Sequence, residues 1–195
     1  MRNKVRIIGG EWRSRLIVFP EGKDLRPTPD RVRETVFNWL GQDLSGKTCL
    51  DLFAGSGAMG FEAASRGAER IVMVESNVEI LKALKTNSKK LGAKQIHLVA
   101  MDALNFLNLD RHVFDIIFLD PPYRLGMLPK LLSLLPSHLA EDGLVYMEND
   151  NFSEAGTDWL VLHRGYAGKV CYQLLKSGKD GGSCKTDRLS GIIFI

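Results

Sequence analysis

Thiols and imidazoles are scarce in this chain. Three cysteines (Cys49, Cys171, Cys184) and four histidines (His97, His112, His138, His163) are scattered singly through 195 residues. An odd, widely spaced set of thiols gives no disulfide framework, and no Cys or His pair has metal-cluster spacing. Cys49 and Cys171 are therefore expected in the core and the histidines in structural roles. No apolar run reaches the ~20 residues that span a bilayer, and Met1-Arg2-Asn3-Lys4 opens no signal-peptide core. A soluble, cytoplasmic protein is expected. Repeats are absent, and only Ser177 to Ser183, rich in Gly, Ser and Lys, has the composition of a flexible turn or tail. What remains, 45% hydrophobic and 25% charged, suffices for one sizeable core, hence one globular domain with a small appendage.

Net charge is also small, at +3, but it is unevenly placed. Residues 1–33 hold nine basic side chains against four acidic ones, and the rest of the chain seventeen against nineteen. A basic amino-terminal segment on an otherwise slightly acidic chain suggests that a polyanion meets that segment. Arg13, Arg15, Arg26, Arg31 and Arg33 are the candidate phosphate contacts, and Trp12 a stacking or packing surface.

Short β-like pieces, Val5 to Ile8 and Leu16 to Phe19, flank Gly9-Gly10 and predict a hairpin. Thr28 as N-cap and Pro29 as first helical residue precede Val32, Val36, Phe37 and Leu40 at helical spacing, ending at Gly41. Beyond Lys47, strand candidates Thr48–Phe53, Arg70–Glu75, Ile96–Val99, Val113–Leu119 and Gly143–Glu148 alternate with helix candidates Ala58–Arg66, Val78–Leu91, Ala103–Leu107 and Met127–Leu139. That alternation predicts a parallel sheet covered on both faces, with ligands at the carboxyl ends of its strands. Trp159–His163 and Val170–Leu175 are joined too tightly for a crossover helix, so that pair must be antiparallel.

At the end of one buried run stands Asp120-Pro121-Pro122-Tyr123. Two prolines cannot donate to the ladder, so they end the strand in a rigid lip. The lip offers a carboxylate, a proline carbonyl and an aromatic face, a set suited to accept the hydrogens of an exocyclic amine while stacking its ring. This is the candidate catalytic site for chemistry on a nucleobase amino group.

The first strand of the alternating region enters Asp51-Leu52-Phe53-Ala54-Gly55-Ser56-Gly57-Ala58-Met59-Gly60. Its glycines allow a tight turn, and the following helix start offers free N–H donors. The spacing also fits a dinucleotide fingerprint, with Glu75 placed for a ribose. Asp51 decides between ligands: it opposes a pyrophosphate but attracts a cationic sulfonium or amino group. S-adenosylmethionine is therefore the expected cofactor, over a nicotinamide dinucleotide. Asp51, Phe53, Gly55, Ser56, Gly57 and Glu75 would hold it, with Asp102 at its adenine amino group and Ala103 N–H at a ring nitrogen.

Taken in order, Asp51 to Gly57, Glu75, Asp102 and Asp120 to Tyr123 resemble the motifs of the S-adenosylmethionine-dependent amino-methyltransferases of nucleic acid. Arg6 to Gly10, Arg13-Ser14-Arg15 and Leu25 to Glu34 resemble a narrower group, the bacterial 16S rRNA guanine-N2 methyltransferases, and the similarity runs from about residue 6 to residue 176. The resemblance implies a Rossmann-like, seven-stranded class I methyltransferase sheet in the α/β class. That sheet is mostly parallel with the final strand pair antiparallel, and carries a small amino-terminal hairpin and helix. It also implies that Arg26-Pro27-Thr28 lies near the cofactor and that 16S rRNA within an assembling small ribosomal subunit is the partner. Direct methyl transfer in a single displacement needs no metal, and a monomer is the default expectation. Residues 1–42 would then be a basic RNA-contacting extension, 43–176 the methyltransferase domain and 177–195 a tail of open role. A DNA adenine-N6 or cytosine-N4 methyltransferase, a glutamine methyltransferase, a nicotinamide-dependent oxidoreductase and a non-catalytic RNA-binding module remain alternatives at this level.

Overall fold

Residues 71–74 and 116–119 are apolar on both sides of their strands, so a sheet built from them must be covered twice. The computed structural model describes residues 2–22, 25, 27–122, 126–149, 158–168, 170–178 and 192–194. An amino-terminal hairpin, β1 (Arg2–Arg6) and β2 (Leu16–Pro20), leads to α1 (Asp30–Leu40). There follow β3 (Thr48–Asp51), α2 (Ala58–Ser65), β4 (Arg70–Glu75), α3 (Val78–Leu91), β5 (Ile96–Ala100), α4 (Ala103–Leu109) and β6 (Phe114–Leu119). The chain continues through α5 (Leu128–Leu134), β7 (Leu139–Asn149), β8 (Trp159–Ala167), β9 (Val170–Ser177) and β10 (Ile192–Phe194).

The main sheet has the order β10-β8-β9-β7-β6-β3-β4-β5. Seven of these strands form the expected sheet; β9 alone runs against its neighbours, β7 and β8. The eighth, β10, comes from the tail and pairs parallel to the edge strand β8. Alternate residues divide the core in two. Cys49, Ile71, Ile116 and Phe118 pack with the hairpin, α1, α2 and α3, whereas Leu50, Val72, Ile117 and Leu119 pack with α4 and α5.

Local chemistry explains both ends of α3. Asn77 caps α3 by accepting from the Glu79 and Ile80 amides (2.9 and 3.2 Å), and Gly92 ends it at φ 70°. Two expectations shift. The helix expected over Met127–Leu139 gives way to a 3-10 turn at Leu135–His138, because Pro136 has no N–H for a further α-helical bond. At α1, Thr28 makes no cap, and the helix starts at Asp30 with Pro29 in the cap position. The Thr28 hydroxyl is committed elsewhere, to Glu148 at 2.8 Å.

The hairpin is seated by buried polar contacts as well as by Val5, Ile7, Trp12, Ile17 and Phe19. Glu62, 0% exposed on α2, accepts from the Ile8 and Gly9 amides (2.8 and 2.7 Å), from Arg33 Nη1 (3.1 Å) and from Arg66 Nε (2.9 Å). Asn87 of α3 brackets Val18, accepting from its N–H at 3.1 Å and donating to its carbonyl at 2.8 Å. Trp12 is thus a core residue rather than a stacking surface.

Candidate functional site

Parallel pairing of β3 with β6 sets Asp51 opposite Phe118, and the Leu52 N–H donates to the Phe118 carbonyl at 3.1 Å. The glycine turn after β3 and the proline lip after β6 therefore leave the sheet side by side, at its carboxyl end. The turn is tight, with Gly57 N–H on the Ala54 carbonyl at 2.7 Å and Ala54 N–H on the Val74 carbonyl at 3.0 Å. Gly57, at φ 81°, has no room for a side chain: a Cβ there would lie 2.7 Å from Leu84 Cδ2 and the Phe61 ring. Phe53 is half-buried, and Ser56, buried, accepts from the Ala58 amide at 3.3 Å.

Carboxylates crowd this edge. Asp51, 4% exposed, accepts from Gly60 N–H at 3.0 Å. Burial pushes its pKa up to about 7, against the Gly60 hydrogen bond and with help from the Glu75 charge. Glu75 itself accepts from the amides of Gly55 (3.1 Å) and Asn77 (2.7 Å). On the other side, the register Leu119 to Met147 brings Asp120 beside Glu148. Desolvation, then the charges of Glu148 and Asp51, hold the Asp120 carboxyl well above the usual range. Glu148 is also raised by burial, opposed by hydroxyl donors from Tyr146 (2.6 Å) and Thr28 (2.8 Å). Among the described residues no lysine or arginine pairs with Asp51, Glu75, Asp120 or Glu148. Four acids with no basic partner among the described residues give this edge an electrostatic preference for a cation over a pyrophosphate.

Asp51→Asn is expected to remove a pH-dependent stability term. Because the folded pKa lies above its ordinary 3.8, the protonated acid favours the fold at low pH, and that favour is lost as pH rises through about 7. In the ligand-free protein, urea unfolding should show the variant gaining on the parent by about 1–3 kcal/mol between pH 5 and pH 8. An unchanged difference between those pH values would contradict it.

The remaining sequence candidates separate. Asp102 caps α4, accepting from the Asn105 amide at 3.0 Å and from its side chain, with Ala103 buried behind it. Pro121 is buried and Pro122 exposed; Tyr123 lies outside the described residues, as does Arg26. Arg31 is exposed in the first turn of α1, three residues after Thr28. Arg13 and Arg15 are exposed in and after the hairpin turn, which rests on the carboxyl-terminal turn of α2, at the opposite end of the sheet. Arg33 is corrected: its side chain is 0% exposed and its donors are spent on Glu62, Asp30 (2.6 Å) and the carbonyls of Thr28 (3.1 Å) and Arg6 (2.8 Å). It cannot reach a phosphate. Glu148, Tyr146 and Thr28 join the site without having been singled out individually as site residues; the signal available was an acid closing the strand candidate Gly143–Glu148.

Strand order, glycine turn and acid-lined edge together define a class I, Rossmann-like methyltransferase fold. Residues 5–176 match the family described as conserved hypothetical protein 95. Ribosomal RNA small subunit methyltransferase D of Escherichia coli strain K12 is 38% identical over 185 residues, covering 92% of this chain and 93% of that protein. Its Haemophilus influenzae namesake is 36% identical over 184 residues, covering 90% and 95%. The solved structure of Escherichia coli yhhF superposes with a TM-score of 0.80 at 38% identity, covering 90% of this chain and 98% of that one. The chain belongs to this methyltransferase family.

Proposed function

We propose that this protein transfers a methyl group from S-adenosylmethionine to the exocyclic N2 amine of a guanine in 16S ribosomal RNA. The observation that carries the reading is the adjacency of the glycine turn after β3 and the Asp120-Pro121 lip after β6, joined by an acid-lined edge. Relatives named as small-subunit rRNA methyltransferases support RNA as the substrate class.

The donor set fits the cofactor, since buried Asp51 and its acidic neighbours suit a positively charged ligand. Asp51, Phe53, Gly55, Ser56, Gly57, Glu75, Asp102 and Ala103 would hold it, and when bound it supplies an electrophilic methyl group on a cationic sulfur. Guanine N2 is a weak nucleophile because its lone pair is delocalised into the ring. Asp120 and the Pro121 carbonyl accept the two amine hydrogens, draw the nitrogen towards tetrahedral geometry and free the lone pair. Asp120 then takes the proton that the amine releases. Glu148, fixed by two hydroxyls, repels a negative charge on Asp120 and so makes that carboxylate a better base. A guanine within a folded RNA must turn out of its stack to reach the lip, where Tyr123 would stack on it. Residues 1–42 contribute RNA contacts, Arg31 next to the site among them, and 43–176 the transfer chemistry.

The test is to offer tritiated S-adenosylmethionine with naked 16S rRNA, small ribosomal subunits and DNA in parallel, then digest to nucleosides. Label in N2-methylguanosine is expected from one of the RNA arms. Label in N6-methyladenine or N4-methylcytosine, or none at all, would overturn the assignment.

A further inference from the structure

Resting on that reading, we infer that the end of the sheet opposite the site is a second RNA contact surface. It is formed by the hairpin turn and the carboxyl-terminal half of α3, and it fits the phosphate backbone of a folded RNA. Six cations lie there: Arg13, Arg15, Lys85, Lys89, Lys90 and Lys94, all exposed and none with an ion-pair partner among the described residues. Glu11, Glu34, Asp43 and Glu69 are exposed acids of the same end, Glu34 sharing a cleft with Arg13 and Asp43 holding Ser45, and among the described residues none of them pairs with the six cations.

Two elements distant in sequence make one rigid surface. Asn87 fixes β2 against α3 through both polar atoms of Val18. Arg15 and Lys90 then line a single cleft of about 200 Å³ with Leu16 and Leu91. Helix stabilisation alone accounts for Lys89 and Lys90, which sit in the last turn of α3 beside its negative dipole end. That effect fades within one turn, so it leaves Arg13, Arg15, Lys85 and Lys94 without a role. By contrast Lys82, nearer the site end of the helix, pairs with Glu79 at 2.8 Å.

Geometry sets the partner. α3 leaves the strand ends beside Glu75 and carries its lysines away from them, and its 14 residues span about 21 Å at 1.5 Å per residue. An RNA that offers its guanine to Asp120 and its phosphates to Lys90 must extend along the molecule by about that length. A folded RNA, or two helices of a ribonucleoprotein, meets this requirement; an isolated nucleoside does not.

Salt dependence of binding tests the surface. The triple variant Arg15→Gln, Lys85→Gln and Lys94→Gln neutralises charge without disturbing the dipole partners Lys89 and Lys90. The probe is whichever of 16S rRNA or small subunits the parent protein methylates; if it methylates neither, 16S rRNA is used for binding alone. The slope of log K against log[salt] should shrink by about two, and affinity near 0.1 M salt should fall roughly tenfold. KM for RNA should rise by a similar factor, with S-adenosylmethionine affinity unchanged. Lys130→Gln, on α5 across the sheet, serves as the control and should bind as the parent does. A triple variant with the parent's salt slope and KM, or a Lys130→Gln variant weakened equally per charge, would overturn the inference. Failure of the proposed function looks different: the parent protein would then label no guanine, whatever the salt slopes.

Discussion

Methyl transfer should fall on the order of 10³-fold in Asp120→Ala, with S-adenosylmethionine still bound. The carboxylate has two jobs in the proposed reaction, accepting an amine hydrogen and later a proton, and no other acid on the lip can do both. Asp120→Asn separates them, because the amide keeps an acceptor oxygen but is no base. In the parent protein the rate should rise with pH as Asp120, held above the usual carboxylate range by burial and by the charges of Glu148 and Asp51, loses its proton. The Asn variant should lose that limb. Asp51→Asn should keep it, moved to lower pH, since one repelling charge is gone. Single-turnover rates across pH, with cofactor binding measured by calorimetry, check both claims. A parent-like rate in Asp120→Ala would remove this residue from the chemistry.

The second large effect concerns stability. Arg33→Ala should destabilise the fold by about 3–5 kcal/mol, the range for breaking a buried ion pair from one side. Arg33 ties four parts of the molecule: the hairpin through the Arg6 carbonyl, the segment before α1 through the Thr28 carbonyl, α1 through Asp30, and α2 through Glu62. Arg33→Lys should not restore it, since one ammonium cannot replace a planar fork serving four acceptors. Arg31→Ala, on the same helix but exposed, should leave stability unchanged to within about 0.5 kcal/mol. Urea unfolding of the three variants separates these outcomes. Equal stability of Arg33→Ala and the parent would contradict the assignment.

Arg31 and Arg33 also show where sequence reading stops. Both belong to one basic segment, and composition cannot tell a solvated charge from one enclosed by Glu62, because the enclosing acid lies 29 positions away. The β/α alternation was legible for a different reason. Period and punctuation are local: Asn77 and Gly92 bracket α3, and β4 is an apolar run, Ile71 to Val74, closed by Arg70 and Glu75. Pro136 was equally visible, but where an α-helix tightens into a 3-10 turn depends on packing. Thr28 misled because a threonine before a proline and a helix is a good local cap, while its actual partner, Glu148, is 120 residues distant. Asp51, which ends β3, and Asp120, which follows β6, were each legible. Their mutual repulsion followed only from strand order, which places β3, β6 and β7 as neighbours.

The contact between Thr28 and Glu148 bears on how the enzyme is made. On the ribosome the hairpin emerges before its anchors, since Glu62 and Asn87 follow it by more than 50 residues, and Glu148 follows Thr28 by 120. Loops of that size close late. The amino-terminal arm therefore waits, apolar side chains unsheltered, while the middle of the sheet is synthesised. The acid-lined edge becomes complete only when β7 has left the exit tunnel, so a nascent chain stalled before residue 148 carries the glycine turn and Asp120 but lacks the Glu148 that stands beside them.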